Sequence, residues 1–393
     1  MFFLLLNLQT AAFSADLPSL KSPLITNQQN SPSLRIDQLM ASSIQNALIS
    51  GGVILIGSRE GTLFEKAYGR VSSTQDSRSM TVDTVFDLAS LTKVIATTPA
   101  ILKLAEEGRL SLVDPVKKWF PELEGKGKDD LLVMHLLTHT SALNDFSLAA
   151  EKPMESAVDG VAEQLLKGEI GSRFHYADIN FILLGEMVRR VSGEKLNEYD
   201  ARKFFVPMGM RDTGFLPSSK LKSRTAATVG DGDLQFVGEP QDPLARRLGG
   251  VAGHAGLFST SRDLAVFCRM MLSGGKSSDK QIMAERTVNQ MTAPYFSRGG
   301  KVTRGLGWDI SSPFSAPRGA FFSQSSYGHT GYSGASLWLD PDADLFVILL
   351  TSRLEFRKKA EFSQLRSELS TLAVEAFGVP VALNELEKEA AKR

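Results

Sequence analysis

Three separated stretches of the chain hold residues suited to acyl-transfer chemistry. The first, Phe86-Asp87-Leu88-Ala89-Ser90-Leu91-Thr92-Lys93, sets a hydroxyl and an amine three residues apart. The run that follows, Val94 to Leu104, has a helical pattern broken only by Pro99, so Ser90 is expected to open a helix with Lys93 on the same face. A serine hydroxyl is a weak nucleophile near neutral pH. It needs an adjacent base, or a lysine that is partly desolvated and so more easily neutral. The N–H groups at a helix start would also favour a developing oxyanion. Taken alone, serine and lysine at this spacing more often mean a helix cap and a solvated side chain, and partners elsewhere must decide the matter.

The second stretch is His175-Tyr176-Ala177-Asp178-Ile179-Asn180, at an expected helix start, where a tyrosine hydroxyl could relay a proton if a nearby cation lowered its pKa. The third is Gly328-His329-Thr330-Gly331-Tyr332-Ser333-Gly334, running into a strand. Its glycines let a substrate lie along the strand edge, and a backbone N–H from that edge could complete an oxyanion hole with the N–H of Ser90. Separately, Tyr176 reads as a half-buried aromatic and His329 as a turn histidine.

The elements that must position these residues follow from periodicity. Ile36 to Ile49 has helical spacing, and Val53 to Gly57 and Thr62 to Tyr68 form a hairpin. Helices are expected at Leu131 to Thr138, Val158 to Lys167, Ile179 to Val191, Leu196 to Phe205 and Ser261 to Leu272, with a glycine-rich loop from Gly249 to Gly256. Ala335 to Leu339 and Leu345 to Thr351 make a second hairpin, and Lys358 to Phe377 an amphipathic helix. Strands at both ends with helices between them imply an α/β fold, one sheet built from the two ends of the chain and a helical lobe, roughly 94–245, inserted in it.

Residues 1–15, with an apolar block at Phe2 to Leu6 and small residues after it, resemble an export signal, which implies a periplasmic or secreted protein. Residues 16–35 are expected to be a flexible arm, 36–378 the folded domain and 379–393 a charged tail. Lys plus Arg and Asp plus Glu balance at 44 each, so nothing in the charge favours nucleic acid. The apolar block is too short for a stable membrane span. One cysteine, Cys268, in an apolar helical run, leaves no intrachain disulfide and is expected to be buried. A metal site among His135, His139, His175, His254 and His329 is disfavoured, because the His135/His139 pair lacks the glutamate of an HExxH helix. No cofactor is implied.

In this order and spacing, the three stretches resemble the serine β-lactamase and penicillin-binding superfamily, in its class C β-lactamase-like branch. The likeness extends to Leu136-Leu137-Thr138-His139-Thr140-Ser141, with Ala142 where that branch usually has Gly, and to Gly249 through Ser259. The resemblance implies a β-lactamase-like fold: an antiparallel sheet flanked by helices, an all-helical lobe, and a cleft between them. It also implies Ser90 as nucleophile, Lys93 as its partner, Tyr176 as the tyrosine of the YxN motif, and His329-Thr330-Gly331 in place of KTG. Tyr332 then supplies an oxyanion N–H. An ester or an amide, on a small molecule or a peptide, would be hydrolysed through an acyl-enzyme, with esterase or peptidoglycan-peptide (D-amino acid) activity and little β-lactamase activity. The rival readings are a β-lactamase proper and a non-catalytic binder of cell-wall fragments.

Two positions depart from the pattern: Asp178 replaces Asn, and His329 replaces Lys. From these the cleft is expected to be up to two charges less positive and anionic substrates handicapped, less so in mild acid if His329 titrates near its usual pKa of ~6.5.

Overall fold

In the computed structural model, which describes residues 31–378 apart from 75, 231–233 and 300, one eight-stranded antiparallel sheet takes strands from both ends of the chain. Its strands are β1 (Ile49–Gly57), β2 (Thr62–Gly69), β3 (Phe296–Arg298), β4 (Val302–Arg304), β5 (Asp309–Ser311), β6 (Tyr327–Thr330), β7 (Ser336–Asp340) and β8 (Leu345–Arg353). Their spatial order is β3-β4-β5-β6-β7-β8-β1-β2. Alternation along the central strands fills two cores. Val53, Leu55, Phe346, Ile348 and Leu350 face the helical middle of the chain, whereas Ile54, Ile56, Leu345, Val347 and Leu349 face the terminal helices.

Those terminal helices are α1 (Pro32–Gln45) and α8 (Lys359–Phe377), which cover the outer face with Ile36, Met40, Leu365 and Leu369. The other face carries α2 (Thr98–Glu106), α3 (Val133–Leu137), α4 (Pro153–Glu163), α5 (Asp178–Ser192), α6 (Ser261–Leu272) and α7 (Glu285–Thr292). This is the mixed fold, antiparallel sheet and flanking helices, that the pattern implied.

Several boundaries differ from expectation. The signal, the tail and most of the arm lie outside the described residues, but the arm's last residues are helical: the Leu34 N–H donates to Ser31 Oγ (3.3 Å), and Pro32 suits a first turn. That helix stops at Gln45, and Ile49 opens β1. The expected helices at 131–138 and 158–167 are shorter or shifted, as Val133–Leu137 and Pro153–Glu163, and the one at 196–205 opens into a wide π turn at Ala201–Phe205. Strands β3, β4 and β5 were not anticipated. Each is three residues long, too short for alternation to register.

The segment bearing Ser90 is also not the simple helix start expected. A two-residue strand, Phe86–Asp87, pairs with Leu257–Ser259, which also pairs with Gly214–Phe215. Ala89 then takes a left-handed φ of 44°, Ala89–Leu91 form a 3₁₀ turn, and Lys93–Thr97 a π turn before α2. The Asp87 carboxylate accepts the Ala89 N–H at 2.9 Å and the Gln241 N–H at 2.7 Å, and so holds the strained corner. Pro99 sits in the first turn of α2, where its missing N–H costs little.

The glycine-rich loop supplies the second half of this support. Thr97 Oγ1 donates to the Gly253 carbonyl at 2.6 Å, and Gly253 is so close to α5 that a Cβ would lie 2.0 Å from the Phe181 carbonyl oxygen. Gly253→Ala is therefore expected to destabilise the fold by about 1–3 kcal/mol through overpacking. It should also lower activity, because His254 follows directly in the same loop. Urea unfolding and an ester-hydrolysis assay on the purified variant measure both effects, and an unchanged urea midpoint would contradict the close packing.

Candidate active site

Lys93 is fully buried, and its ammonium meets oxygens from three parts of the chain. Nζ lies 3.1 Å from Ser90 Oγ, 3.0 Å from the His254 carbonyl oxygen and 2.7 Å from Asp178 Oδ1. Asp178 is the first residue of α5, where the helix dipole favours a carboxylate. Burial pulls the lysine pKa down, but Asp178 and Tyr176 outweigh burial, and the net shift is upward. The expectation of an easily neutralised lysine is thereby corrected. Lys93 is held as an ammonium.

Tyr176 completes the pair. Its ring centroid lies 5.1 Å from the Lys93 Nζ, and its hydroxyl is in hydrogen-bonding reach of Lys93 and Ser90. Burial raises its pKa, the lysine only partly opposes this, and so Tyr176 rests as a neutral phenol rather than the phenolate that a nearby cation would favour. Under it lies His139, stacked at 4.4 Å between ring centroids. His139 Nδ1 accepts the Ala177 N–H (3.3 Å) and lies 3.2 Å from Asn180 Nδ2, while Ser141 Oγ donates to Asn180 Oδ1 (2.6 Å). The Leu136–Ser141 segment thus forms a platform for Tyr176.

Ser90, Tyr176, His329, Thr330, Gly331 and Tyr332 line one cavity of about 360 Å³. Lys93 and Asp178 stand immediately behind Ser90. The turn after β6 is pinned to the Ser90 corner: Ser333 Oγ donates to the Asp87 carbonyl at 2.7 Å, and Gly331 has no room for a Cβ, which would sit 2.4 Å from the Leu88 carbonyl oxygen. Tyr332 is exposed, its ring stacked on Phe356 at 4.7 Å.

His329 is buried in β6 with Nδ1 2.9 Å from the Thr330 carbonyl oxygen, so that nitrogen carries the proton. Burial, with Arg304 and Lys93 adding like charge, holds its pKa well below 6.5. His329 therefore stays neutral in mild acid, which corrects the expectation that it becomes cationic there.

Charge also reaches the cleft from residues outside the three motifs. The Asp178 carboxylate is paired with Lys93, and the cavity wall also includes Arg304, Arg353, Lys359 and Arg366, of which Arg304 is paired with Asp309 at 3.1 Å. Cations outside the motifs thus bring positive charge to the cleft, while Asp178 and the neutral His329 still leave it less positive than the pattern with Asn and Lys at those positions. Sequence reasoning missed these four cations because no local spacing ties residues on β4, β8 and α8 to Ser90. It also missed Asp242, which holds His254 Nε2 at 2.8 Å. Among the described residues, Asp178, Asp242 and His254 have donor atoms within 4.8 Å of one another, but the cation they face is the Lys93 ammonium. His135, by contrast, accepts the Leu132 N–H within its own turn.

Helices from the middle of the chain and the end of strand β6 converging on a Ser-Lys-Tyr cluster, its lysine buried and its serine and tyrosine facing the cavity, define a serine hydrolase. The chain belongs to the β-lactamase family, whose model matches residues 36–367. It is 28% identical over 397 aligned positions to a protein of Escherichia coli (strain K12) provisionally named D-alanyl-D-alanine carboxypeptidase, covering 89% of this chain and 90% of that one. An N-acetylmuramyl-L-alanine amidase of Bacillus subtilis (strain 168) is 28% identical over 359 positions, covering 81% and 80%. In fold, the chain is similar to EstCE1, a hydrolase with promiscuous acyltransferase activity (TM-score 0.71, 20% identity, 88% of this chain and all of that one). It is likewise similar to a class C β-lactamase (TM-score 0.72, 18% identity, 86% and 95%). No helix among the described residues is long and apolar enough to cross a membrane.

The buried neutral His329 has a thermodynamic signature. Below its unfolded pKa of about 6.5 the unfolded chain takes up a proton there that the folded chain does not, so stability present above that pH is lost as pH falls toward the folded value. Relative to the unmodified protein, His329→Gln is expected to lose less stability between about pH 6.5 and about pH 5, by up to about 1.4 kcal/mol per pH unit. Urea unfolding of both proteins across that range measures the difference, and parallel curves would show that His329 charges in the folded state.

Proposed function

We propose that the protein hydrolyses an amide or ester of the cell-wall peptide class through an acyl-enzyme on Ser90. The observation that carries this is the fully buried Lys93 ammonium, 3.1 Å from Ser90 Oγ and neutralised by Asp178. A lysine that merely decorated a helix start would be solvated.

The resting protonation states suggest how the proton moves. The two transfers are concerted: the Tyr176 proton moves ahead to the leaving nitrogen or oxygen, whose bond to the acyl carbon breaks, and the Ser90 proton follows onto the Tyr176 oxygen as Ser90 Oγ bonds to the acyl carbon. Lys93 keeps its own proton and stabilises negative charge on the tyrosine oxygen during transfer. Water then attacks the acyl carbon by the reverse path, and the proton returns to Ser90.

The substrate class is supported by two of the relatives, one named for D-alanyl-D-alanine peptides and one for a muramyl-L-alanine amide. Arg353 and Lys359 in the cavity wall suit a peptide carboxylate. A cell-wall substrate also agrees with the export signal expected at residues 1–15. Because His329 is neutral where the resemblance places a lysine, β-lactams are expected to acylate Ser90 and turn over slowly. Ester hydrolysis is the second reading, favoured by the partly apolar cavity with Phe314 at its wall.

Intact mass after exposure to a fluorophosphonate, and separately to a penicillin, is expected to show one adduct on the unmodified protein and none on Ser90→Ala. Ser90→Ala should fold, because Lys93 keeps Asp178 and the His254 carbonyl and loses one hydrogen bond worth about 0.5–1.5 kcal/mol, yet lose several orders of magnitude in activity. If Lys93 and Tyr176 act as one unit, the double variant Lys93→Ala with Tyr176→Phe should be scarcely worse than the poorer single variant. An adduct on another residue, or fully multiplicative losses, would count against this mechanism.

A further inference from the structure

Arg366 is a half-buried arginine at the cavity wall for which no carboxylate partner stands among the described residues. Its Nη2 donates to two backbone oxygens, Gly331 O and Ala335 O, each at 2.7 Å. Its guanidinium lies 4.6 Å from the Phe362 ring, and its Nε is enclosed with no acceptor. Burial, with Arg353 as a like-charged neighbour, brings its pKa down to about 9, which leaves it charged at neutral pH. Holding a guanidinium partly out of water without a counter-ion is costly, so packing alone is a poor account of it.

What the guanidinium grips suggests a use. Gly331 O and Ala335 O belong to the turn that is pinned to the Ser90 corner through Ser333 and Asp87, and within that turn the Gly331 N–H donates to Ala335 O at 2.8 Å. The Gly331 carbonyl and the Tyr332 N–H are opposite ends of one planar peptide group. A cationic donor on the carbonyl oxygen draws electron density through that group and makes the N–H at the other end a stronger donor. The Tyr332 N–H has no protein acceptor among the described residues, and Tyr332, Gly331 and Ser90 share the cavity wall with Arg366.

We propose that Arg366 is a positioning residue for the oxyanion site: by holding Gly331 O, it orients and polarises the Gly331–Tyr332 peptide so that the Tyr332 N–H stabilises the oxyanion formed when Ser90 attacks. This rests on Ser90 being the acylated residue. Arg366 acts through the peptide and touches no reacting atom. Its effect therefore belongs to the transition state and not to substrate capture.

The test uses a neutral p-nitrophenyl ester, which removes any attraction between an arginine and a substrate carboxylate. Full removal of an oxyanion donor costs about 10²- to 10³-fold in kcat, so depolarising one that remains should cost about tenfold. Arg366→Met is expected to lower kcat and kcat/KM together, with KM little changed. In the acyl-enzyme on Ser90, its isotope-edited carbonyl stretch should move to higher wavenumber, since a weaker oxyanion site polarises the ester less. Arg366→Lys should restore part of both effects. If the methionine variant does not fold, Arg366→Gln, which keeps a donor and loses the charge, carries the same comparison. A Ser90 adduct with an unmoved carbonyl band, or a rise in KM with kcat intact, would overturn the proposal. Absence of any Ser90 adduct in the unmodified enzyme is a different result, which overturns the acyl-enzyme reading itself.

Discussion

A single buried positive charge organises this molecule. The Lys93 ammonium has left water entirely, and a cation so placed is tolerated only when nearby oxygens replace its hydration and a counter-charge offsets the desolvation. Here the oxygens come from Ser90, from the His254 carbonyl in the glycine-rich loop, and from Asp178 at the start of α5. Each belongs to a segment distant in sequence, so the ion ties together the Ser90 corner, the helical region and the loop beside them. Removing any one oxygen leaves part of the charge uncompensated. Function and stability therefore meet at the same atoms, and the hydroxyl that must react is among those that keep the lysine satisfied.

The segments that surround this ion also hold unusual backbone conformations. Ala89 occupies the left-handed region, and Gly253 approaches α5 more closely than any side chain would allow. Such features cost energy where they occur, and they persist because the surroundings leave no alternative. Asp87 is part of that enclosure. Its carboxyl is buried, and burial lifts its pKa to about 6 despite two backbone N–H bonds and the nearby Arg246. The corner presenting Ser90 is thus held by a group whose ionisation is costly to maintain.

The sequence disclosed the local part of this arrangement and not the electrostatic part. Ser90 and Lys93 are one turn apart, so their contact follows from spacing alone. The hairpins β1–β2 and β7–β8 are long enough for alternation to reveal them. Strands β3 to β5 are three residues each, and no periodic signal survives at that length. What stayed hidden has one cause: the pairing of Asp178 with Lys93 and the burial that keeps His329 from titrating near 6.5 are set by the fold. Both depend on which residues lie opposite, which composition and spacing do not carry. The same holds for the arginines of the cavity wall, contributed by strands and a helix far from Ser90 in the chain.

The sheet joins the two ends of the chain, with Val53 of β1 paired to Leu350 of β8, about 300 residues later. A contact of that span closes late in folding, because the entropy of bringing its ends together is lost before any stabilisation is gained. Until β8 is available, β1 has only β2 beside it, and an exposed apolar strand edge invites pairing with another chain. Because β6 and α8 lie more than two hundred residues after Ser90, the cavity wall opposite it forms only once those segments have been made, so Ser90 and Lys93 exist well before hydrolytic competence does.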